Sequence, residues 1–177
     1  MTLPLALRQC VRERANFACE FCGVAESDTG GELTVDHFRP QAHGGSDDPD
    51  NLLYCCYRCN QYKADYWPDS ADAPVLWNPR AELAGVHLAV LEDGSVHPLT
   101  RTGAFTIKRL RLNRPPLVAF RVQRAAEAER LHLLNRYRQL LGLLEQVREQ
   151  QRELLVEQRS LLEEQRSLLR LLIGLGE

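Results

Sequence analysis

Four of the six cysteines are spaced as metal ligands. Cys19-Glu20-Phe21-Cys22 and Cys56-Tyr57-Arg58-Cys59 each set two thiols three positions apart, with 33 residues between the pairs. Two such pairs can give four thiolates to one tetrahedral Zn²⁺ at about 2.3 Å. Four sulfur ligands leave no open position, so this zinc would be structural and not catalytic. Cys55 has the wrong spacing to Cys59 and, with Cys10, reads as an ordinary buried thiol. Between the pairs lies Asp36-His37. An imidazole with an ordinary pKa of about 6.5 can take a proton from water near neutral pH. Asn51 follows His37 after 14 positions and Asn60 follows Asn51 after 9. Each of these alone would be unremarkable: surface polarity, a turn residue and a helix cap.

The elements that must hold these residues are short. Leu33–His37 reads as a strand, and Gly44-Gly45 as a turn. Asn51–Cys55 reads as a second strand and Arg58–Tyr66 as a short helix. The order is β, β, α around a metal. Asp36 and His37 are adjacent in a strand, so their side chains point to opposite faces unless the strand bends.

The combination resembles the HNH endonucleases, the ββα-metal nuclease family. Asp36-His37, Pro40, Gly44-Gly45, Asn51-Leu52, Cys56-x2-Cys59, Asn60 and Lys63 carry the resemblance, which covers about residues 10 to 66. Residues 74 to 124 also look like a tail found in some bacterial members, through Trp77-Asn78-Pro79-Arg80 and Leu110-x-Leu112-Asn113-Arg114-Pro115. The resemblance implies an α+β fold and hydrolysis of DNA phosphodiester bonds to 5′-phosphate and 3′-hydroxyl ends. It implies His37 as general base, Asp36 and Asn60 as ligands of a divalent metal, and Asn51 as the residue that holds the loop so that His37 aims correctly. An Asp and Asn oxygen pair suits a hard cation, so Mg²⁺ or Mn²⁺ is expected at that site. The competing reading is a zinc-stabilised DNA-binding or scaffold module with an idle nuclease centre. An RNA substrate also stays open.

Charge and composition bound the rest. The chain of 177 residues carries 22 basic and 24 acidic residues, which excludes a general basic coat for nucleic acid. A local asymmetry remains. From Gly94 to Ala126 there is no acid, and Arg101, Lys108, Arg109, Arg111, Arg114, Arg121 and Arg124 fall in that stretch. We read this stripe as a phosphate-binding surface for DNA, joined by Arg39, Arg58 and Lys63 near the centre. His43, in the glycine turn, is a further phosphate contact to consider, whereas His87, His97 and His132 read as structural or solvent-facing. No apolar run is long enough to cross a membrane. No secretory leader is visible, and reduced cysteines point to a cytoplasmic protein.

Three regions differ in composition: residues 1–70 for the zinc-stapled nuclease domain, 71–116 for an irregular basic extension with short strands near Val86–Leu91 and Val96–Leu99, and 117–177 for a long helix stopped by Gly174 and Gly176. The helix repeats every seven residues, as in Gln151-Arg152-Glu153-Leu154-Leu155, Gln158-Arg159-Ser160-Leu161-Leu162 and Gln165-Arg166-Ser167-Leu168-Leu169. Leu133, Leu140, Val147, Leu154, Leu161 and Leu168 form one stripe. Tyr137, Leu144, Gln151, Gln158, Gln165 and Leu172 form its companion. This pattern predicts a coiled coil that joins copies into a homodimer or higher oligomer.

Overall fold

The computed structural model describes residues 3–174, and their side chains as far as 171. Helix α1, Leu5–Arg14, starts after Pro4 and turns Leu7 and Val11 inward at a spacing of four, with Leu3 just before it also against the core. Cys10 lies off that stripe and is exposed, so its reading as a buried thiol is corrected. Asn16 and Phe17 leave the helix at left-handed φ values of 50° and 57° and turn the chain into the first cysteine pair. A single helical turn, α2, Glu26–Thr29, follows and ends at Gly30 with φ 72°.

Strands β1, Thr34–His37, and β2, Leu52–Cys55, pair antiparallel, with Asp36 opposite Leu53 and His37 opposite Leu52. All four residues of β2 are buried, which is why this strand is an unbroken apolar run instead of an alternating one. Helix α3, Tyr57–Lys63, follows directly and is capped by the Cys56 sulfur, which accepts from the Cys59 N–H at 3.5 Å. The β, β, α order is as expected.

The segment 71–116 is more regular than expected. It holds a helical turn α4, Ala84–His87, a hairpin of β3, Leu88–Val90, and β4, Val96–Pro98, and a two-to-three-turn helix α5, Arg101–Leu110. The expected strand over Val86–Leu91 is thus shorter and begins as helix. Thr100 caps α5 by accepting from the Gly103 N–H at 3.0 Å. Gly103 packs on the His87 carbonyl, where any Cβ would collide. Leu76, Trp77, Leu110, Leu112 and Leu117 join Val11, Phe38, Leu52 and Leu53 in one core. Asn78, Arg80 and Asn113 act in this packing, Arg80 pairing with Glu20 at 3.1 Å and Asn113 holding Val96 through both its N–H and its carbonyl.

Helix α6 runs from Pro115 to Gly174. Two prolines can open it because the first helical N–H groups have no intrahelical acceptor. The chain divides into two units, Met1–Arg124 and Ala125–Glu177. Among the described residues, every side chain from 125 to 171 is exposed. The expected stop at Gly176 and the side chain of Leu172 lie outside what is described.

Candidate nuclease centre and metal sites

The Sγ atoms of Cys19, Cys22, Cys56 and Cys59 all lie within 4.8 Å of one another, and Cys22 and Cys56 are 3.7 Å apart. A tetrahedron with Zn–S bonds of about 2.3 Å has edges of about 3.8 Å, so the cluster fits zinc. Its two halves come from the loop after α1 and the N-terminus of α3. Hydrogen bonds among the crowded thiols, then burial, hold Cys19 and Cys59 above the ordinary thiol range, while Cys22 and Cys56 are held below it by their neighbours. Four thiolates at such distances repel, and a divalent cation removes that conflict. Cys55 stays apart. Burial pushes its thiol up, and it faces the Thr34 hydroxyl at 3.9 Å.

On β1, Thr34 and Asp36 share a face, and both meet α3. The Thr34 hydroxyl donates to the Cys55 carbonyl at 2.9 Å, so it can only accept from Asn60, whose amide nitrogen lies 3.3 Å away. That bond orients the Asn60 amide and leaves its Oδ1 uncommitted to Thr34. One turn on, Lys63 is fully buried. Its ammonium donates to the His37 carbonyl at 2.6 Å and lies 2.8 Å from Asp36 Oδ2. The second contact is an ion pair without hydrogen-bond alignment, so Asp36 Oδ2 remains a buried oxygen with no aligned donor. Asp36 Oδ2 and Asn60 Oδ1 are the oxygens that β1 and α3 could offer a hard cation, and the Lys63 ammonium now stands beside the first of them.

His37 points the other way. Its Nε2 lies 2.7 Å from Asp47 Oδ1. A carboxylate can only accept, so Nε2 carries a proton, and in the neutral tautomer the lone pair is on Nδ1. The bond from His37, ahead of one from Gln41, holds the Asp47 carboxyl below the usual carboxylate range. Asn51 braces the loop between the strands. Its Oδ1 accepts from the Arg39 N–H at 2.9 Å, and its Nδ2 donates to the carbonyls of Arg39 at 3.1 Å and Ser46 at 2.8 Å. Gly45 lies so close beneath that a Cβ there would collide with the Arg39 carbonyl.

Strand β1, the braced loop and the capped helix α3 thus carry all of these residues in one segment that also holds the cysteine pairs. Residues 19–65 match the family model for HNH endonucleases. The matched span opens on Cys19 and closes just after Lys63, so it takes in β1, β2 and α3. No curated protein matches the chain.

The basic residues around the matched span divide into two sets. Arg39, Arg58, Arg101, Lys108 and Arg111 are exposed. Arg39 sits 5.3 Å over Trp67, Arg111 4.9 Å over Tyr62, and the half-buried Arg109 5.0 Å over Tyr66. Arg114 is half-buried, 5.8 Å from the Tyr62 ring. Lys63, which sequence assigns to phosphate, has its ammonium inside, on Asp36. Arg121 donates to the Gly94 and Leu112 carbonyls at 2.9 and 2.8 Å. His43 is exposed, and its carbonyl accepts from Arg39 Nε at 2.7 Å. His87 is structural as expected, held between Glu82 and Thr100 at 2.6 and 2.7 Å.

Sequence reasoning missed Asp47 and Thr34. Asp47, Asp48 and Asp50 all stand near the glycine turn, and spacing does not choose among them. The fold does, because Asp48 turns instead to the Ser46 hydroxyl at 2.6 Å. For Thr34 the signal was its place two residues before Asp36, on the same strand face.

Proposed function

We propose that this protein is a metal-dependent endonuclease that hydrolyses DNA phosphodiester bonds through the HNH domain. The observation that supports the reading most is the pairing of His37 Nε2 with Asp47 at 2.7 Å, on the strand that also carries Asp36. In this reading His37 Nδ1 accepts a proton from the attacking water. The Asp47 carboxylate stabilises the imidazolium that results. The water oxygen bonds to phosphorus, the bond to the 3′-oxygen breaks, and that oxygen gains a proton from solvent. Asp36 and Asn60 would hold Mg²⁺ or Mn²⁺, with Thr34 orienting Asn60. When bound, the cation supplies Lewis-acid stabilisation of the pentacoordinate phosphate and the departing oxygen. Asn51 keeps the loop, and so the direction of His37, fixed. The cysteine cluster carries a structural zinc that ties the loop after α1 to α3.

Arg39, Arg58, Arg101, Lys108, Arg109, Arg111 and Arg114 bind backbone phosphates in this reading, giving affinity that falls with salt and depends little on sequence. The α6 stripe joins copies into a homodimer or higher oligomer. Each HNH domain could then cut one strand of a duplex.

One observation favours a second reading. Asp36 Oδ2 already lies 2.8 Å from the Lys63 ammonium, as it would in a zinc-stabilised DNA-binding module with an idle centre. Purified protein incubated with supercoiled plasmid and Mg²⁺, Mn²⁺ or EDTA decides between them. Cutting that needs metal and is lost in His37→Ala establishes the nuclease and its base. DNA binding without cutting on plasmid, single-stranded DNA and RNA establishes the idle module, and cutting of RNA alone moves the substrate.

A further inference from the structure

The C-terminal unit is a bare apolar face with a charge on each side, and the order of those charges specifies how it is covered. In a helix with a seven-residue repeat, successive stripes lie about 51° apart. Leu154, Leu161 and Leu168 form one stripe, and Leu155, Leu162 and Leu169 another two steps round. Their exposures run from 55 to 61%. The stripe midway between them is Gln151, Gln158 and Gln165. Beyond the first leucine stripe lie Glu157 and Glu164, and beyond the second lie Arg159 and Arg166. The apolar face is therefore about three stripes wide, centred on glutamine, with an acidic edge and a basic edge placed symmetrically about the centre.

Such a face meets a second copy in one of two ways. In a parallel pair related by a rotation along the bundle axis, the acidic edge of each helix meets the basic edge of the next. In an antiparallel pair the two-fold axis is perpendicular, and acidic meets acidic while basic meets basic. Like charges across a helix interface disfavour that arrangement. In the parallel in-register case Glu157 lies opposite Arg159 and Glu164 opposite Arg166, each offset by two residues, or about 3 Å along the axis. The three glutamines then meet their own copies layer by layer, which is how polar seam residues specify register.

We infer that residues 151–169 form a parallel, in-register bundle with a second copy of this chain. The inference rests on the oligomer reading above and deepens it. Connectivity then puts the HNH domains of the copies at the same end of the bundle.

The test uses the full chain with the exposed Cys10 replaced by serine and one new cysteine, either Gln151→Cys or Gln165→Cys. Both positions lie on an exposed helix face, where circular dichroism checks that helix content is kept. Sedimentation should give at least twice the chain mass, and mild oxidation should cross-link each variant to itself. An antiparallel pair has one centre, so it brings at most one of the two positions onto its own copy. An oligomer in which only one variant, or neither, self-links overturns the parallel register while association stands. A monomer at micromolar concentration overturns both the inference and the oligomer reading.

Discussion

Replacing Asn51 with alanine removes one acceptor and two donor contacts without touching His37, Asp36 or the cysteines. The Arg39 N–H, the Arg39 carbonyl and the Ser46 carbonyl lose partners at 2.9, 3.1 and 2.8 Å. At about 1 kcal/mol net for each bond the loss would be about 3 kcal/mol if all three groups stayed dry. Asn51 is only half-buried, and water can reach the loop, which lowers the expected cost to about 1–2 kcal/mol. For a unit of this size that is a fall in Tm of about 4–8 °C. Cleavage should fall further than stability, by about 10- to 100-fold, because the loop that sets the direction of His37 has lost its brace. Asn51→Asp is the sharper variant. Its carboxylate can still accept from the Arg39 N–H, but it cannot donate and it faces two carbonyl oxygens. It should be at least as damaging as alanine in both thermal melts and plasmid nicking. An Asn51→Asp protein with unchanged Tm and full cutting would refute the reasoning, because the two donor bonds would then be doing nothing.

Further predictions follow from the same geometry. Thr34→Val should release the Asn60 amide and weaken Mn²⁺ binding by about 10- to 100-fold, measured by calorimetry, whereas Thr34→Ser should restore it. Asp47→Asn should lower cleavage at neutral pH while leaving zinc content unchanged, since an amide can present either a donor or an acceptor to His37 and no longer specifies its tautomer. The purified chain should hold one zinc, released by a thiol reagent, and Cys56→Ser should lose it together with the thermal transition of residues 3–124. Burial, then its bond to Glu26, pushes the Tyr54 hydroxyl up to about 12 from an ordinary 10. Its neutral form is favoured in the fold, so its contribution is intact below pH 10 and lost as pH rises through about 12. Glu26, held low first by Arg12 and then by Tyr54, contributes in the opposite direction, intact above the usual carboxylate range and lost as acid protonates it. Ultraviolet titration of tyrosinate should show one late-titrating tyrosine that is absent in Tyr54→Phe.

Much of the centre was legible because its signals are local. A thiol pair three positions apart can chelate, a glycine pair marks a turn, and Asn60 and Lys63 are three apart on a helix and so share a face. The rest needed contacts between distant segments. The Lys63 ammonium reads as a phosphate ligand until the β1–α3 packing buries it on Asp36, and Arg121 does so until it meets the Gly94 and Leu112 carbonyls. Residues 71–116 looked irregular because prolines and short apolar runs on either side mask α5, although Thr100 caps it and Phe105, Ile107 and Leu110 carry it onto the core. Cys10 looked like core until the helix phase, set by Leu7 and Val11, turned it outward.

By itself the sequence determined the pairing of the four clustered cysteines, the strand–loop–strand–helix order and the seven-residue stripe of α6, since each depends on spacing along the chain. Tertiary structure alone decided which aspartate faces His37, which way the Asn60 amide points and which cations remain outside. Those outcomes depend on pairings such as Thr34 with Asn60, 26 positions apart. Spacing carries no information about a hydrogen bond until β1, β2 and α3 close on one core and bring these polar atoms within reach of one another.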